Sequence, residues 1–600
     1  MGWFIGLLPK RSTFHESEVR GYLHSLKEIA KDAPALSVER KEMIFLGGGL
    51  PDTFRFHVTN TVNCQQGWAV CGIGIKNDSG SFSIMRNDDW SNLLSNEPSL
   101  DEMHKINGHY AVLSWNKNRF EIFCDALELR RAYVVETEKF FLISTRLDWI
   151  VSIVPDSVLK IERLASGWSL VNSVSDECFI GNVIRVGPSG HVRIMNGKIT
   201  HTWQHWEPGA PEESTIAVLL KQITVLPLKD EHKITLGLSG GMDSRTLLSV
   251  LCDLPKESWQ VHSCGDADNL DIKIAKRIAN ELNVRHEIKY YQPQELKTVD
   301  SVVRTIKEYA LHTEMAESLF GYPKLELFSS MAREGYWMVD GGYGELLRRS
   351  YGNKLLLAGR GAVRERSASG ILKYLLLPRS PIFNHEIQQS FLFETHNQLQ
   401  HAIDTMPDHS AGDFGNWVDL FHIRYRLRNY AGNSQSLYDC SIPGYMPFAQ
   451  PAMLSTYFGL ASRQRCNNKL NRKIIADGEA RLQRIPLLTS GAVVPYWTSR
   501  NILFSRLIGR IKRKVVPNKA NLRRPFRCEA LLFLKEFILD RVHSSEVRTS
   551  SYYDCGSVER RVEQFYHDSN EQDAQYIEDW LTFDFWREKV ALKHRFDPGD

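Results

Sequence analysis

The residues best suited to chemistry lie in one short loop, Leu236-Gly237-Leu238-Ser239-Gly240-Gly241-Met242-Asp243-Ser244. The apolar residues 233–236 predict a buried strand, and the apolar spacing of residues 245–251 predicts a helix that begins at the loop. Two adjacent glycines lack the Cβ atoms that would keep an anion away, and the hydroxyls of Ser239 and Ser244 can donate to one. A helix N-terminus also favours negative charge. The loop is therefore predicted to hold phosphate groups.

Asp243 is the one residue of this loop that a simple phosphate site would not need. A carboxylate beside phosphates is repelled unless a cation lies between them, so Asp243 is predicted to hold Mg²⁺ that bridges to the phosphates. The loop also lacks the lysine of a Walker A motif. The alternative is a plain Gly-Gly turn between strand and helix, with Asp243 or Ser244 as a helix cap.

The pattern S-G-G-x-D-S after a strand resembles the PP-loop of ATP pyrophosphatases. In that family the loop holds the β- and γ-phosphates while a substrate oxygen attacks the α-phosphorus, which leaves an AMP-activated intermediate and pyrophosphate. The resemblance implies that the ATP- and pyrophosphate-binding residues of the loop are Leu238, Ser239, Gly240, Gly241, Asp243 and Ser244.

Length and composition indicate which classes of protein this chain can belong to. The 600 residues predict two or more domains with an ample core, and 74 basic against 71 acidic side chains give no argument for nucleic acid as a partner. The scattered cysteines show no zinc-like spacing, which favours reduced thiols in a cytoplasmic setting. No apolar run approaches the roughly 20 residues that cross a bilayer. Residues 1–8 lack the basic start of a signal peptide.

The pattern of apolar residues changes along the chain. Up to about residue 205, short aromatic and β-branched runs separated by turn residues predict a layered, β-rich domain. From about residue 215, strands and helices alternate, and longer helical periods follow beyond residue 300. Pro and Gly cluster in 203–211, so the predicted domains are 1–205 and 206–600.

Most of the chain resembles the asparagine synthetases. The segments that carry the resemblance are 106–113, 124–125 with 142–146, 261–265, 271–275, 286–287, 338–347 and 446–451. The resemblance implies an N-terminal domain that is an Ntn-amidohydrolase-like β-sandwich, and a C-terminal PP-loop α/β domain with a helical extension. It further implies that Ser263, Gly265 and Gly342 belong to the ATP site, and that ATP and Mg²⁺ are the cofactors.

One departure from that family concerns the amine donor. An asparagine synthetase cuts glutamine with a cysteine exposed as the first residue after Met removal, whereas this chain has Gly2. Cleavage before Cys71-Gly72-Ile73 could imitate the motif but would delete the first strand. We therefore expect a degenerate, amidotransferase-like domain and an amine from another substrate. This description matches the β-lactam synthetases and the lasso-peptide macrolactam synthetases.

The second departure lies in the acidic, glycine-rich loop. The family usually carries G-x-G-x-D-E, but this chain reads Asp340-Gly341-Gly342-Tyr343-Gly344-Glu345, so the second Mg²⁺ aspartate falls on Gly344. Asp340 and Glu345 are the candidates to bind the metal instead, and Glu345 is also a catalytic candidate. Both could simply cap a helix that starts near Leu346.

Two further catalytic candidates follow from the resemblance. Tyr343 could donate a proton or orient an amine, as a loop tyrosine does in β-lactam synthetases, or it could be a packed aromatic. Lys469 lies where the family supplies a lysine that stabilises charge during transfer. Lys473 competes for that role, and a solvated helix face is the alternative for either lysine.

A basic stretch has no part in this chemistry. Residues 500–527 contain ten Lys and Arg residues and no acidic residue, interleaved with apolar ones. Such a stretch is typical of a segment that docks on a membrane surface, an acidic peptide or a partner protein. A solvated basic helix over the adenylation site is the alternative.

Together these patterns predict an AMP-forming carbon–nitrogen ligase. The best-fitting substrate is a precursor peptide whose Asp or Glu side chain joins its own N-terminal amine, as in lasso-peptide cyclisation. A leader peptidase, a peptide-recognition protein and an exporter are then candidate partners, and no nucleic acid is expected. The alternatives are a small-molecule amide or β-lactam synthetase, an ammonia-using enzyme and a non-catalytic scaffold.

Overall fold

The computed structural model describes residues 2–11, 13–30, 33–59, 66–95, 98–116, 119–154, 156–170, 172–348, 353–408, 414–461, 463–489, 491–515 and 524–591.

Two antiparallel sheets form the N-terminal part of the chain. Their strands are β1 (Trp3–Pro9), β2 (Leu36–Arg40), β3 (Met43–Gly48), β4 (Phe54–Val58), β5 (Gln66–Asp78), β6 (Ser81–Ile84), β7 (Asn107–Asn116), β8 (Arg119–Cys124), β9 (Tyr133–Glu136), β10 (Phe140–Ser144), β11 (Val183–Arg185), β12 (His191–Met195) and β13 (Lys198–Thr202). The first sheet has the order β11-β9-β10-β1-β3-β2. The second has the order β13-β12-β8-β7-β5-β4, with β6 beside β5.

The two sheets face each other across a shared core. Phe4 and Phe45 of the first sheet lie in one buried cluster with Cys71 and Ala111 of the second. This arrangement buries one face of each sheet, as in a β-sandwich.

Helices cover the two outer faces. The helices of this part are α1 (Glu16–Ala30), α2 (Asn87–Ser95), α3 (Leu100–His104), α4 (Leu147–Ile153) and α5 (Ala165–Ser169). Helices α1 and α4 pack on the first sheet, and α2 and α3 share a buried cluster with the second. The predicted layered β-sandwich is confirmed.

A parallel sheet forms the centre of the C-terminal part. Its strands are β14 (Lys233–Gly237), β15 (Trp259–Gly265), β16 (His286–Tyr290), β17 (Tyr336–Val339) and β18 (Gly444–Tyr445). Their order is β16-β15-β14-β17-β18, and every neighbouring pair is parallel. The strand order reverses at β14, because β15 lies on one side of it and β17 on the other. A hairpin of β19 (Leu487–Thr489) and β20 (Ala492–Val494) lies apart from this sheet.

Helices surround the parallel sheet and extend beyond it, as predicted. They are α6 (Ile216–Thr224), α7 (Leu226–Lys229), α8 (Asp243–Leu251), α9 (Leu270–Leu282), α10 (Val299–His312), α11 (Lys324–Arg333), α12 (Asn353–Ala358), α13 (Arg360–Arg364), α14 (Ala368–Leu375), α15 (His385–Asp404), α16 (Phe414–Phe421), α17 (Arg428–Tyr438), α18 (Pro451–Gly459), α19 (Lys469–Gly478), α20 (Ile502–Val515), α21 (Phe526–Phe533), α22 (Lys535–His543), α23 (Ser545–Arg548), α24 (Cys555–Asp568) and α25 (Glu571–Ala591). In the described ranges, none of the helices has the length and apolar character to cross a membrane.

The two parts of the chain pack together extensively. Helix α25 carries the fully buried Trp580 and Trp586 and packs against both α10 and α4. The last strand of the antiparallel sheets ends at Thr202, and α6 begins at Ile216. The division into 1–205 and 206–600 stays a prediction.

A buried charge cluster crosses between the parts. Glu128 is fully buried; Arg185 Nε donates to its Oε1 over 2.6 Å, and Arg185 Nη2 forms an ion pair with its Oε2 at 2.6 Å. Arg428, from α17, lies 3.6 Å from the same carboxylate and also pairs with Asp176. Burial alone would raise the pKa of Glu128, but the guanidinium groups of Arg185 and Arg428 hold it below its usual value.

We expect Glu128→Gln to lower the free energy of unfolding by about 3 kcal/mol at pH 7, because it leaves buried guanidinium groups without a counter-charge. Chemical denaturation measures this. Because the folded pKa is lowered, the wild-type advantage is present above the usual glutamate pKa and is lost as the pH falls through the folded value. The matched control is Asp253→Asn in the exposed Lys221–Asp253 pair, where less than about 1 kcal/mol is expected. Equal effects of the two substitutions would contradict the role of the cluster.

Candidate active site

The carboxyl ends of β14, β15 and β17 bring the predicted site residues to one edge of the sheet. Leu236 pairs with Val261 on one side and with Val339 on the other. The loop 238–244, the residues 263–265 and the loop 340–345 therefore leave the sheet side by side. In open α/β sheets, ligands bind in the crevice where the strand order reverses.

The first loop is held in shape by its two serines. The Oγ atoms of Ser239 and Ser244 are 3.0 Å apart, and the Ser239 N–H donates to Ser244 Oγ over 3.2 Å. The Gly241 N–H donates to Ser239 Oγ over 3.2 Å. Helix α8 then begins at Asp243. The hydroxyls of Ser239 and Ser244, which were predicted to bind phosphate, therefore also stabilise the conformation of the loop.

Gly240 is required by close packing. A Cβ atom here would lie 3.0 Å from Leu488 Cβ and 3.1 Å from Ile274 Cδ1, tighter than most contacts of that kind. Its N–H donates to the carboxylate of Asp271 over 2.9 Å. This amide is therefore paired with Asp271, and it could donate to a phosphate only if that hydrogen bond were released. Asp271 was not among the predicted binding residues.

Ser263 joins the first loop to the neighbouring strand. Its Oγ donates to the Leu238 carbonyl over 2.7 Å and lies 2.9 Å from His286 Nε2. Burial lowers the pKa of His286 to about 4, so the ring is neutral at pH 7 and its Nε2–H donates to Ser263. Gly265 has φ of +141°, a conformation that favours glycine.

The second loop packs directly on the start of α8. A Cβ on Gly341 would lie 3.2 Å from the Ser244 nitrogen. A Cβ on Gly344 would lie 2.5 Å from Asp243 Cβ and 2.8 Å from Asp243 Cγ. The close approach leaves no space for an aspartate at 344, which is a physical reason why this loop departs from G-x-G-x-D-E.

Asp340 lies in the crevice between β14 and β17. Its Oδ1 accepts a hydrogen bond from the Gly342 N–H over 2.7 Å, and a Cβ on Gly237 would lie 3.5 Å from its Oδ2. Burial raises the pKa of its carboxyl. Asp340 therefore stabilises its own loop while one oxygen faces the end of β14, and the metal role stays a prediction.

Glu345 is half-buried at the start of a 3₁₀-helix, Gly344–Arg348. A carboxylate in the first turn of a helix can stabilise that end of the helix, which is one of the two roles predicted for Glu345. The other role, metal binding, stays a prediction. Within the described ranges, no three His, Cys, Asp or Glu side chains gather into a metal cluster. Mg²⁺ in general binds through one or two carboxylates together with substrate phosphates. Asp243 and one further carboxylate would suffice.

Tyr343 is buried in the core that joins the two parts of the chain. It is 2% exposed and has φ of +69°, which is uncommon for a residue with a side chain. Its hydroxyl has no hydrogen-bond partner among the described residues. Burial raises its pKa well above the usual tyrosine value. A buried, unpaired hydroxyl in a strained loop is costly, and such features cluster at functional sites.

Lys469 is not brought into the crevice. Its side chain is exposed, and its Nζ donates to the Arg463 carbonyl over 2.8 Å. Lys473 is exposed as well. Helix α19, which both lysines share, packs on α8, where Asn471 Nδ2 donates to Thr246 Oγ1 over 3.1 Å. The role of either lysine stays a prediction.

A half-buried lysine that sequence analysis missed lies near the second loop. Lys324 Nζ is 3.3 Å from the Glu317 carboxylate and 3.1 Å from the Tyr438 hydroxyl. Burial opposes its charge, but Tyr438 and Glu317 raise its pKa above the usual value. Its positive charge partly opposes the rise that burial causes in the pKa of Asp340. No motif surrounds Lys324, so nothing in the sequence singles it out.

Gly2 and Cys71, the two positions considered for a glutamine-cutting cysteine, are both buried. A Cβ on Gly2 would overlap the carbonyl oxygen of Thr53. Cys71 is fully buried, and burial raises its pKa to about 12. A thiol with that pKa is not a nucleophile at neutral pH.

The segment 106–113 is engaged by the C-terminal part. Gly108 N–H donates to Gln450 Oε1 over 2.7 Å, and His109 Nε2 lies 3.1 Å from the buried carboxylate of Asp439. Asn107 Oδ1 accepts from the Ala452 N–H over 2.8 Å. These groups hold the two parts together.

Residues 216–334 match the asparagine synthase family. The matched segment contains the first loop, β14 to β16 and α8 to α11, but not the second loop. The match confirms the predicted ligase-type enzyme and an asparagine synthetase-like segment, and it supports ATP-dependent amide-bond formation in general. No curated protein matches the chain.

Two solved structures show a distant likeness. One is titled the structure of the allosteric regulatory enzyme of purine biosynthesis, with a TM-score of 0.23, 10% identity, and coverage of 50% of this chain and 87% of that one. The other is glutamine phosphoribosylpyrophosphate amidotransferase from B. subtilis complexed with ADP and GMP, with a TM-score of 0.22, 10% identity, and coverage of 57% and 81%. Neither likeness bears on function.

We expect Gly344→Ala to lower the rate by at least about tenfold, because its Cβ would displace Asp243 from the first loop. Steady-state kinetics and thermal melting measure this. The matched control is Gly361→Ala on α13, because a Cβ at Gly361 would meet no atom within 4 Å. A fully active Gly344→Ala enzyme would show that Asp243 need not stay in place.

We expect Tyr343→Phe to raise the free energy of unfolding by about 1 kcal/mol, since it removes a buried hydroxyl without a partner. If Tyr343 also acts on the substrate, the same variant loses rate while gaining stability. Denaturation and turnover measured on one preparation separate the two roles. A variant that is less stable would show that the hydroxyl is satisfied in solution.

Proposed function

We propose that this chain is an ATP-dependent ligase that activates a carboxylate as an acyl-adenylate and then forms an amide, releasing AMP and pyrophosphate. The observation that carries the proposal is the convergence of the Asp243 loop and the Asp340 loop at the point where the strand order reverses. The family match over residues 216–334 supports the same chemistry.

In the first step, a substrate carboxylate oxygen attacks the α-phosphorus of ATP, and the bond from that phosphorus to the bridging oxygen of pyrophosphate breaks. The first loop and the N-terminus of α8 bind the leaving pyrophosphate. Mg²⁺, when bound, supplies positive charge that neutralises the phosphates. Asp243 would hold it, with Asp340 or Glu345 as the second carboxylate.

In the second step, an amine attacks the acyl carbon, AMP leaves with the bonding electrons, and the amine loses a proton. Adenylation is needed because a carboxylate oxygen is a poor leaving group near pH 7. Lys469, Glu345 and Tyr343 stay the proposed catalytic groups of this step, although Lys469 would have to leave the Arg463 carbonyl to act.

We infer that the amine belongs to the substrate itself. The blocked space at Gly2, the inert Cys71 thiol and the engagement of 107–109 by the C-terminal part all argue against glutamine as the donor. An internal amine fits the macrolactam closure of a lasso peptide, in which an Asp or Glu side chain joins the N-terminus. The partners would be a precursor peptide, a leader peptidase with its recognition protein, and an exporter, in the cytoplasm.

We expect ATP to be cleaved between its α- and β-phosphates, so α-labelled ATP should yield AMP in the presence of a suitable peptide. A peptide with an internal Asp or Glu and an acetylated N-terminus should support ATP–pyrophosphate exchange but not ring closure. The same peptide with Asn or Gln in place of the acid should support neither. ADP as the sole nucleotide product would rule out the adenylation step.

We expect Asp243→Asn to lower turnover by about two to three orders of magnitude and leave the fold intact, because the near-isosteric amide cannot bind the metal as a carboxylate does. The matched control is Asp253→Asn, an exposed carboxylate just beyond the end of α8, which should keep wild-type turnover. A folded Asp243→Asn enzyme with more than about a third of the wild-type rate would remove Asp243 from the mechanism.

We expect glutamine neither to support nor to accelerate the reaction, and thiol-directed glutamine analogues not to inhibit it. Glutamate release by the purified protein is the measurement. Glutaminase activity that disappears in Cys71→Ala would show that the thiol is processed into a nucleophile, and would overturn the internal-amine proposal.

A further inference from the structure

Helix α20 presents its apolar side to the outside of the protein. Leu503, Phe504, Leu507 and Ile511 are 43% to 53% exposed. At about 100° per residue, these four positions fall within one arc of about 100°. The helix of a globular protein ordinarily turns such a stripe toward the core.

The opposite side of α20 carries the small residues Ser505 and Gly509 together with Lys512, and it faces the β19–β20 hairpin and the turn before the helix. Ser505 is buried, and its Oγ lies 3.3 Å from Thr498 Oγ1. A Cβ on Gly509 would lie 3.2 Å from the Thr489 carbonyl oxygen. The Lys512 Nζ donates to the Val493 carbonyl over 3.1 Å. These contacts set which side of the helix is covered.

An exposed indole extends the stripe. Trp497 is 57% exposed, and its ring centroid lies 5.9 Å from that of Phe504. Tryptophan and phenylalanine are residues that amphipathic helices place at the boundary between lipid headgroups and acyl chains. The apolar surface is thus larger than the helix alone.

A basic cavity lies beside the stripe. It measures about 380 Å³ and is lined by four cationic side chains and two aromatic ones, namely Arg472, Arg484, Arg500, Lys512, Tyr496 and Trp497. No acidic residue is among its described lining. The segment 500–527 around it has ten Lys and Arg residues and no Asp or Glu. The chemistry of the cavity suits a phosphate group.

We propose that α20 docks this face of the protein on an anionic lipid membrane, with the apolar stripe and Trp497 in the interface and the basic cavity on the lipid phosphates. A stripe flanked by Arg and Lys suits a lipid surface, because helices that lie in the membrane interface carry Arg and Lys beside their apolar side. A protein partner would instead need a groove that matches the exposed helix. The proposal does not depend on the reaction that the crevice performs.

The test is co-sedimentation of the full chain with vesicles of phosphatidylcholine alone and of phosphatidylcholine mixed with phosphatidylglycerol. We expect at least about tenfold tighter binding to the mixed vesicles, falling as salt is raised. The emission of Trp497, taken as the difference between wild type and Trp497→Phe, should shift to shorter wavelength on binding. Equal binding to both vesicles, or to neither, would overturn the proposal.

Two variants separate the parts of the surface. Leu507→Ser with Ile511→Ser should abolish binding, and Arg500→Gln with Arg510→Gln should remove the preference for phosphatidylglycerol. The matched control is Leu392→Ser with Phe393→Ser, an equally exposed apolar pair on α15, a helix without Lys or Arg. A different result would make this face a protein interface instead. In that case the wild type would be a dimer that does not bind vesicles, and only the Leu507→Ser, Ile511→Ser variant would be a monomer.

Discussion

The parallel pairing of β14 with β15 on one side and β17 on the other is the constraint on which the candidate site depends. Parallel strands end at the same edge, so three loops far apart in sequence must leave the sheet together. Little space is left between these loops at the edge of the sheet. A Cβ at Gly344 would collide with Asp243, and a Cβ at Gly240 or Gly341 would be tighter than most contacts of that kind. The shape of the crevice is a result of this crowding.

The N-terminal sandwich is attached to the rest of the chain by close contacts as well. Its contacts with the rest of the chain include polar and charged groups that are buried, such as Glu128 with two guanidinium groups and His109 with Asp439. A charge that is buried and paired does not tolerate separation of its partners. The sandwich is therefore expected to behave as part of one structure with the parallel sheet.

Much of the secondary structure was predicted from local sequence patterns. The strand, loop and helix around Ser239 to Ser244 were predictable because each follows from residues that are neighbours in sequence. Contacts between distant segments were not. Nothing in the sequence pairs Asp271 with the Gly240 amide, places Lys324 near Asp340 or turns Lys469 toward the Arg463 carbonyl. For α20, the sequence predicted a basic amphipathic segment. It did not predict which side is covered, because that depends on the contact of Gly509 with the hairpin and of Ser505 with Thr498.

The contact between Gly344 and Asp243 has a consequence for how this loop can change over generations. An aspartate at 344 collides with Asp243 unless the second loop first moves away, and moving that loop disturbs Asp340, Gly342 and the start of α8. A single substitution at 344 is therefore not expected to place a second carboxylate beside Asp243. Such a change would require accompanying changes in the second loop, so the residue at 344 and the position of Asp243 constrain each other.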